Sequence, residues 1–588
     1  MAALLAVAVL ALLAAALAPW SVASDRIESA AAAQVRDAYG LTFASARDAR
    51  LSLLPVPRLT MSGVSVASET GSPLVRDARV RVEFRMLPLL LGRLRVAEVA
   101  VSGASVAVGF DAAGRSGWTP AFERIAQRGT DEASGHVGRL VVTGSDIVID
   151  LPSQGTGTTI HCAEMVISWP APAGEADLSV VGAWHDEPFR VELLGIAPFK
   201  LVAGQSDAIQ LRATAKHGRV GLSGDLDWRG APRFHGLIAA DTPSLAGLAA
   251  WAGSSPILRG MDQSFSLSGD GTVEPTGIES PQVRLGFGAD RVDGSLAIRL
   301  DQARPMVRAT LAGEQLDLTW LGQRLAAFGE TWSETGQALD VPPADYDLRL
   351  SAASARVGAV RLRDAAAGLL VHRDRLELSL ARATLADGQV KGRVSAALGG
   401  EGRDIKASLS LDNVDLGPLL AQFGQARILT GTVRGQAAFE AVGQANADFA
   451  RQGQGRLSVV ARDGELAGVA LGEGWRRSEN RAGAAAPAAW QGGRTIFDQA
   501  HLNLHVVNGV AEIADGAIEA STTHTRLQGR VSLPDRFVSL KSTTRGAPAV
   551  AGDLRPPLVL DVNGPLDRLV TMSSPVTSPT TTATIPRR

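Results

Sequence analysis

The chain has 588 residues, 58 of them Lys or Arg and 60 Asp or Glu, so it carries no chain-wide basic field that could hold a nucleic acid. Hydrophobic residues make up 45% and aromatic ones only 5%, which leaves apolar surface built mainly from Ala, Val and Leu and argues against a base- or sugar-stacking site. Cys162 is the lone cysteine, so stability has to come from burial and strand pairing without an intramolecular disulfide.

The stretch Ala2–Ala18 is drawn only from Ala, Leu and Val and is closed by Pro19 and Trp20. A helix over residues 1–23, rising about 1.5 Å per residue, would cross the roughly 30 Å of a bilayer core with Trp20 at the interface. The same letters read as a signal-peptide core, with Ser21-Val22-Ala23 as a cleavage pattern before Ser24. Either reading takes the remaining chain out of the cytosol. Ser29–Tyr39, rich in Ala and free of Gly and Pro, predicts a helix stopped at Gly40.

From Leu41 the pattern becomes alternating. Leu51-Ser-Leu53, Leu59-Thr-Met61, Val64-Ser-Val66, Val80–Phe84, Leu94-Arg-Val96 and Val99-Ala-Val101 each place apolar side chains on one face at period two. Gly, Pro and Asp turns separate them, with little room for crossover helices, so an antiparallel or meandering sheet is predicted. Taken alone, Leu87-Pro-Leu-Leu-Leu-Gly92 reads as a hydrophobic linker between two strands. Residues 119–136 are polar and unpatterned, a linker, after which strands resume at Arg139–Val142 and Asp146–Asp150.

A longer period follows in Gly218–Gly253, Ala289–Gly329 and Asp387–Gly424, each a Gly-centred strand pair leading to a short helix that ends at Gly. Gly224, Gly294 and Gly392 precede the closing glycines by 29, 35 and 32 residues, and Trp251, Phe328 and Phe423 fall just before them. Such units predict an elongated stack with short helices along one side. Residues 472–494 interrupt the pattern and read as a loop insertion. Further strands span Ile496–Leu560, with a turn at Asn508-Gly509, and residues 571–588 read as a disordered tail.

Leu51-Ser-Leu-Leu-Pro-Val-Pro-Arg-Leu59, Leu87-Pro-Leu-Leu-Leu-Gly92, the strand pair Arg93–Val108 and Asp111-Ala-Ala-Gly-Arg-Ser-Gly-Trp118 occur in that order. Together they resemble the N-terminal module of the AsmA family. Gly431-Thr-Val-Arg-Gly435, Gly455–Gly464, Thr495–Gly509, Leu527–Leu533 and Leu558–Leu566 are similar to its C-terminal region. The resemblance implies an inner-membrane-anchored periplasmic protein of outer-membrane biogenesis, of the bridge-like lipid-transfer kind, and it favours a retained anchor over a cleaved signal. The basic residues usual before that family's membrane helix are missing here, so the start lies upstream or orientation rests on other signals. The expected organisation is an anchor over 1–23, an AsmA-like module over 24–118, a linker over 119–136, a repetitive β body over 137–471, the insertion over 472–494, AsmA-like strands over 495–570, and the tail.

Chemistry-bearing patterns are weak. Gly286-Phe-Gly288 lacks the third glycine of a dinucleotide fingerprint, and a Gly-x-Ser-x-Gly elbow is absent. His501 and His505 have helical metal-ligand spacing but sit in an alternating strand, where positions four apart are separated by about 13 Å. His161-Cys162 has no supporting cluster, and Asp146 and Asp150 read as strand-end polar caps. The expected protein is therefore mainly β: a transmembrane helix followed by an elongated, curved, repetitive antiparallel sheet, without catalytic residues, metal or cofactor. The aliphatic strand faces fit either a packed core or a trough for phospholipid acyl chains, and periodicity does not separate the two. Which residues would face lipid is not legible. Expected partners are phospholipid and the inner membrane. The alternative is a scaffold that binds outer-membrane or periplasmic proteins through sheet edges.

Overall fold

The computed structural model describes residues 20–21, 29–109, 117–124, 137–150, 158–251, 262–319, 344–397, 403–477, 490–546 and 556–573, with short breaks inside some of these ranges. The apolar run Ala2–Ala18 lies outside them, as does most of the helix expected at 318–329. Among the described residues no helix is long and apolar enough to cross a membrane. Positions within 29–39 are helical, and the Gly40 amide donates to the Arg36 carbonyl at 2.9 Å with φ 65°, the left-handed stop expected there.

The chain is mainly β and divides into two compact units, residues 1–289 with 295–301, and 290–294 with 302–588. The first unit opens with β1 (Trp20–Ser21), β2 (Thr42–Ser52), β3 (Arg58–Ala67) and β4 (Pro73–Phe84), paired in sequence order. Leu87-Pro-Leu-Leu falls in a five-residue helix, α1 (Met86–Leu90). Next come β5 (Val96–Ser102) and β6 (Ser105–Gly109), which lie end to end against β7 (Arg139–Asp150). Gly103 and Gly144, at φ 63° and 53°, break both sides of this ladder at one level, and Ser145 Oγ closes the gap by accepting from the Ala104 amide at 3.1 Å. The two predicted strands at 139–150 are thus one bulged strand.

Eight further strands follow as a meander: β8 (Thr158–Ser168), β9 (Ala176–Trp184), β10 (Glu187–Ile196), β11 (Asp207–Ala215), β12 (Gly218–Trp228), β13 (Pro232–Thr242), β14 (Phe265–Glu274) and β15 (Gly277–Phe287). Each pairs antiparallel with the one before it. Helix α2 (Pro198–Val202) follows β10, and α3 (Leu245–Trp251) follows β13. The turn at His185 and Asp186 has φ 48° and 63°, as a two-residue hairpin loop requires for its twist to match the strands. Strand β16 (Asp290–Arg299) is divided between the units after Gly294.

The second unit continues with β17 (Met306–Asp317), β18 (Asp345–Val357), β19 (Val360–His372), β20 (Arg375–Leu385), β21 (Gly388–Ala397) and β22 (Arg403–Asp415), then α4 (Leu416–Gln422). After these come β23 (Thr432–Gly443), α5 (Asn446–Gln452), β24 (Gln454–Val469) and α6 (Leu471–Arg476). The described chain closes with β25 (Gln491–Val507), β26 (Val510–Glu519), β27 (Thr523–Ser532), β28 (Phe537–Gly546), β29 (Leu558–Pro565) and β30 (Val570–Ser573). The expected turn at Asn508-Gly509 joins β25 to β26, with φ 49° and 74°.

Three findings depart from the sequence reading. The sheets are not wholly antiparallel: β5 and β6 pair parallel with β7, and β17 with β18. Parallel neighbours need a long connection, and these two places are where the chain supplies one. The stretch 472–494, read as a loop insertion, contributes to a core at both ends. Leu471, Trp475 and Trp490 pack with Leu558 and Leu560, because two indoles bury more apolar area than the surrounding Gly and Ala suggest. Strand β30 extends past residue 570, where the tail was expected to begin, and pairs with β29.

The first and third repeats are realised as hairpins followed by helices, the helix of the second lies mostly outside the described residues, and all three share an unanticipated start signal. Asp415 Oδ1 accepts from the Gly417 amide at 2.9 Å, Asp317 Oδ1 from the Thr319 amide at 3.0 Å, and Ser244 Oγ from the Gly247 amide at 3.0 Å. A short acceptor at the strand end caps each turn. The recurring aromatic has no common role: Trp251 is partly buried, Phe423 is 53% exposed, and Phe328 lies outside the described residues.

Candidate functional site

Residues directly opposed in neighbouring strands project to the same face of a sheet, so the registers define side-chain rows running across the strands. In the first unit one such row reads Leu51, Leu59, Val82, Val99, Leu140, Ile167, Leu178, Leu193, Leu211, Leu222, Ile238, Gly269 and Val283. A second, two positions along each strand, runs from Met61 and Val80 through Val101, Val142, Met165, Val180, Val191, Ala213, Val220, Ala240 and Leu267 to Leu285. Every member is aliphatic, Met or Gly.

The second unit has rows of the same kind. Leu311, Leu350, Ala367, Leu380, Gly392, Leu409, Ala437, Leu457, Leu504 and Ile513 lie opposite one another from β17 to β26. Beside them run Ala309, Leu348, Leu369, Leu378, Val394, Ala407, Phe439, Gly455, Val506 and Ala511, continued by Val531 and Val538.

Burial along these rows is mostly partial. Val283, Leu285, Ala309 and Ala511, near row ends, are buried, as are Val142 and Ile238 further in, whereas Val220, Val394 and Leu409, in mid-row, remain 42%, 40% and 44% exposed. Between them nearly all members are only half-buried. Two buried clusters touch the rows, through Met61 with Val64 and Ala78 and through Ile238 with Ile209 and Phe234, while others lie beside them: Val433, Ala461 and Phe497 on β23–β25, and the two-indole core under α6. Helix α3 reaches the second row of the first unit, where Leu248 and Trp251 line a cavity together with Val220 and Ala240.

Two cavities lie against the rows. One of ≈ 330 Å³ is lined by Leu378, Leu380, Val394, Leu409, Ala437 and Phe439 among others. The other, ≈ 300 Å³, is lined by Val191, Ala213, Val220 and Ala240, with Phe189, Phe265, Trp184, Leu248 and Trp251 around them. Its wall is latched: Trp251 Nε1 donates to the Trp184 carbonyl at 3.0 Å, the Trp251 carbonyl accepts from His185 Nδ1 at 2.7 Å, and the Trp184 and Trp251 rings meet edge-on at 4.6 Å. Helix α3 is thereby tied to the β9–β10 turn.

Polar groups at the margins are ion-paired. Asp345, next to Tyr346 at the start of β18, accepts from the Arg373 amide at 3.1 Å, Arg304 Nε at 3.0 Å and His372 Nδ1 at 2.8 Å. The Arg373 amide, followed by Arg304 and His372, holds its carboxyl below the usual range, while burial raises the Tyr346 phenol.

The residues weighed for chemistry do not converge. His161 and Cys162 point to opposite faces of β8: His161 Nδ1 is 2.9 Å from Asp146 Oδ1 on the exposed side, whereas Cys162 is fully buried opposite Ser145 and Gly182. Burial pushes the Cys162 thiol up, with Glu164 adding to it, away from a reactive thiolate. Asp146 lies in mid-strand rather than at a strand end, and the Asp150 side chain is outside the described residues. His501 Nε2 meets Asp515 Oδ2 at 3.1 Å, and His505 stands exposed on the same strand, β25. Among the described residues no three His, Cys, Asp or Glu side chains gather as a metal site. The rows themselves escaped the sequence reading, since alternation assigns residues to faces but not to partners. Their signal is a shared register, which only pairing supplies.

The sequence model of one family, the AsmA family, matches residues 1–130 and 325–516, more than half of the chain. No curated protein and no solved structure matches.

Proposed function

The chain belongs to the AsmA family, and from that premise we propose that it is a non-enzymatic envelope protein that binds and conducts phospholipid acyl chains along its aliphatic rows. Family membership supports the envelope-associated role. The acyl-chain reading is carried by one observation: aliphatic residues stay in register over ten or more strands of each unit, yet are half-exposed in the middle of the rows. An acyl chain suits such a surface because it needs apolar area and no hydrogen-bond partners, and each methylene withdrawn from water contributes about 0.8 kcal/mol. In this reading Ala2–Ala18 anchors the protein in the inner membrane, the β units occupy the periplasm, and the role belongs to outer-membrane biogenesis.

The test is mass spectrometry of lipid extracted from the purified full-length protein, wild type against Leu409→Asp and Val220→Asp. Phospholipid should accompany the wild type and fall at least severalfold in each variant, with far-UV circular dichroism unchanged. Lipid-free wild-type protein, or lipid unaffected by either charge, overturns the acyl-chain reading. Capture of outer-membrane proteins in place of lipid would move the assignment to an assembly factor.

A further inference from the structure

The opposite face of the second unit carries a feature that acyl-chain binding does not use. Over β20–β25 it forms a basin of ≈ 620 Å³ whose lining includes Lys391, Arg393, Arg456 and His505 but no Asp or Glu. Arg393, Ser408, Ala438, Arg456 and His505 are opposed in consecutive strands β21 to β25. Small Ser408 and Ala438 therefore floor a gap between two arginines whose backbones stand three strand spacings apart, about 14 Å, a span that two guanidinium arms can close from both sides. Lys391 lies two residues before Arg393 on the same face of β21.

Charge pairing makes this basin unusual in its own neighbourhood. Nearby cations are partnered: Arg434 with Asp412 at 2.8 Å, Lys406 with Asp404 at 3.6 Å and Arg393 itself with Glu377 at 3.3 Å. Among the described residues Lys391 and Arg456 make no ion pair, although carboxylates are about as frequent in the chain as cations. Glu440 and Lys406 line an adjoining cavity of ≈ 610 Å³ that shares Arg393, Arg456 and His505 with the basin.

We infer that this basin binds phosphate ester groups, with Arg456 and Lys391 as the principal contacts and Arg393 as the opposing arm. Guanidinium groups match the geometry of phosphate oxygens, the floor hydroxyl adds a donor, and Arg456 and Lys391 have no carboxylate partner among the described residues, whereas Arg393 would exchange Glu377 for the ligand. A lipid whose chains lie on the aliphatic rows has the sheet between its headgroup and this basin, so the ligand is a separate one. It is either a soluble phosphorylated molecule or the headgroups of an anionic lipid surface.

The full chain, held in phosphatidylcholine nanodiscs, is titrated with pyrophosphate by calorimetry. Its co-flotation with vesicles of phosphatidylcholine, with and without phosphatidylglycerol, is measured in parallel. Binding should weaken as salt rises and fall at least about tenfold in Arg456→Gln and in Lys391→Gln, as expected for loss of a charge-assisted contact. Pyrophosphate binding with this dependence assigns a soluble ligand, and binding only to phosphatidylglycerol vesicles assigns headgroups. Absence of both, or binding that both variants retain in full, overturns the inference. All four side chains are exposed, so the variants fold, and the lipid content of the purified protein reports separately on the acyl-chain reading.

Discussion

At the residue scale, the strand-end acceptors do more than mark helix starts. Asp317 pairs with Arg356 across β17 and β18, and this contact, reinforced by the Thr319 hydroxyl and amide, lowers its carboxyl to about 2. An unfolded Asp titrates near about 3.9, so the folded value is the lower one. The stabilisation is therefore fully present above the unfolded pKa and is lost as pH falls through about 2. In Asp317→Asn the melting temperature should lie below wild type at neutral pH, and the gap should close as pH falls from 4 towards 2. A gap that stays constant over that range would show that Asp317 acts through shape alone. The sequence displayed the Asp, and the N-cap pattern was readable in principle, but its partner Arg356 is 39 residues away.

At the element scale, the repeats place glycine in comparable strand positions for different reasons. Gly224, Gly236 and Gly271 are opposed on β12, β13 and β14. A Cβ on Gly224 would meet the His235 carbonyl oxygen at 2.3 Å and the Gly236 Cα at 2.7 Å, both backbone atoms that cannot step aside. At Gly392 the nearest atom is the Ser408 oxygen at 3.5 Å, an ordinary contact. Gly224→Ala should cost about 1–3 kcal/mol by forcing three strands to shift. Gly392→Ala should be neutral or gain up to about 1 kcal/mol, because alanine loses less chain entropy on entering a strand. Chemical denaturation of the two variants distinguishes them, and equal losses would refute a close strand contact specific to Gly224. Sequence spacing grouped Gly224 with Gly392, and only the pairing separates them.

At the scale of the whole molecule, side-chain rows of the same kind occur in each compact unit, in the first over β8–β15 as well, which lie outside the residues matched by the family model. A lipid-conducting reading thus requires both units to contact acyl chains on one face and not on the other. Photo-crosslinking residues at Val220 and Leu409 should label phospholipid in envelopes. The same residues at Arg219 and Arg349, on the opposite face and outside the phosphate basin, should not. Labelling that ignores the face, or that occurs in one unit alone, would restrict or remove the proposed path.

The sequence by itself determined the family, the β class, most strand positions, the Gly40 helix stop and the Asn508-Gly509 hairpin, because each is encoded in local periodicity or turn chemistry. Alternation at Leu409 or Val220 also fixed that these side chains share a face with their own strand's other aliphatic residues. What only the tertiary structure decided was which residues stand beside them, and whether anything covers them. Register joins Leu409 to Gly392 and Ala437, and likewise puts Arg456 and Arg393 in one line on the other face, with Ser408 and Ala438 between them. Parallel pairing of β17 with β18 and packing of Trp475 with Trp490 were hidden for the same reason. Such contacts form between segments tens of residues apart, and a period of two records the direction of a side chain but not the identity of its neighbour.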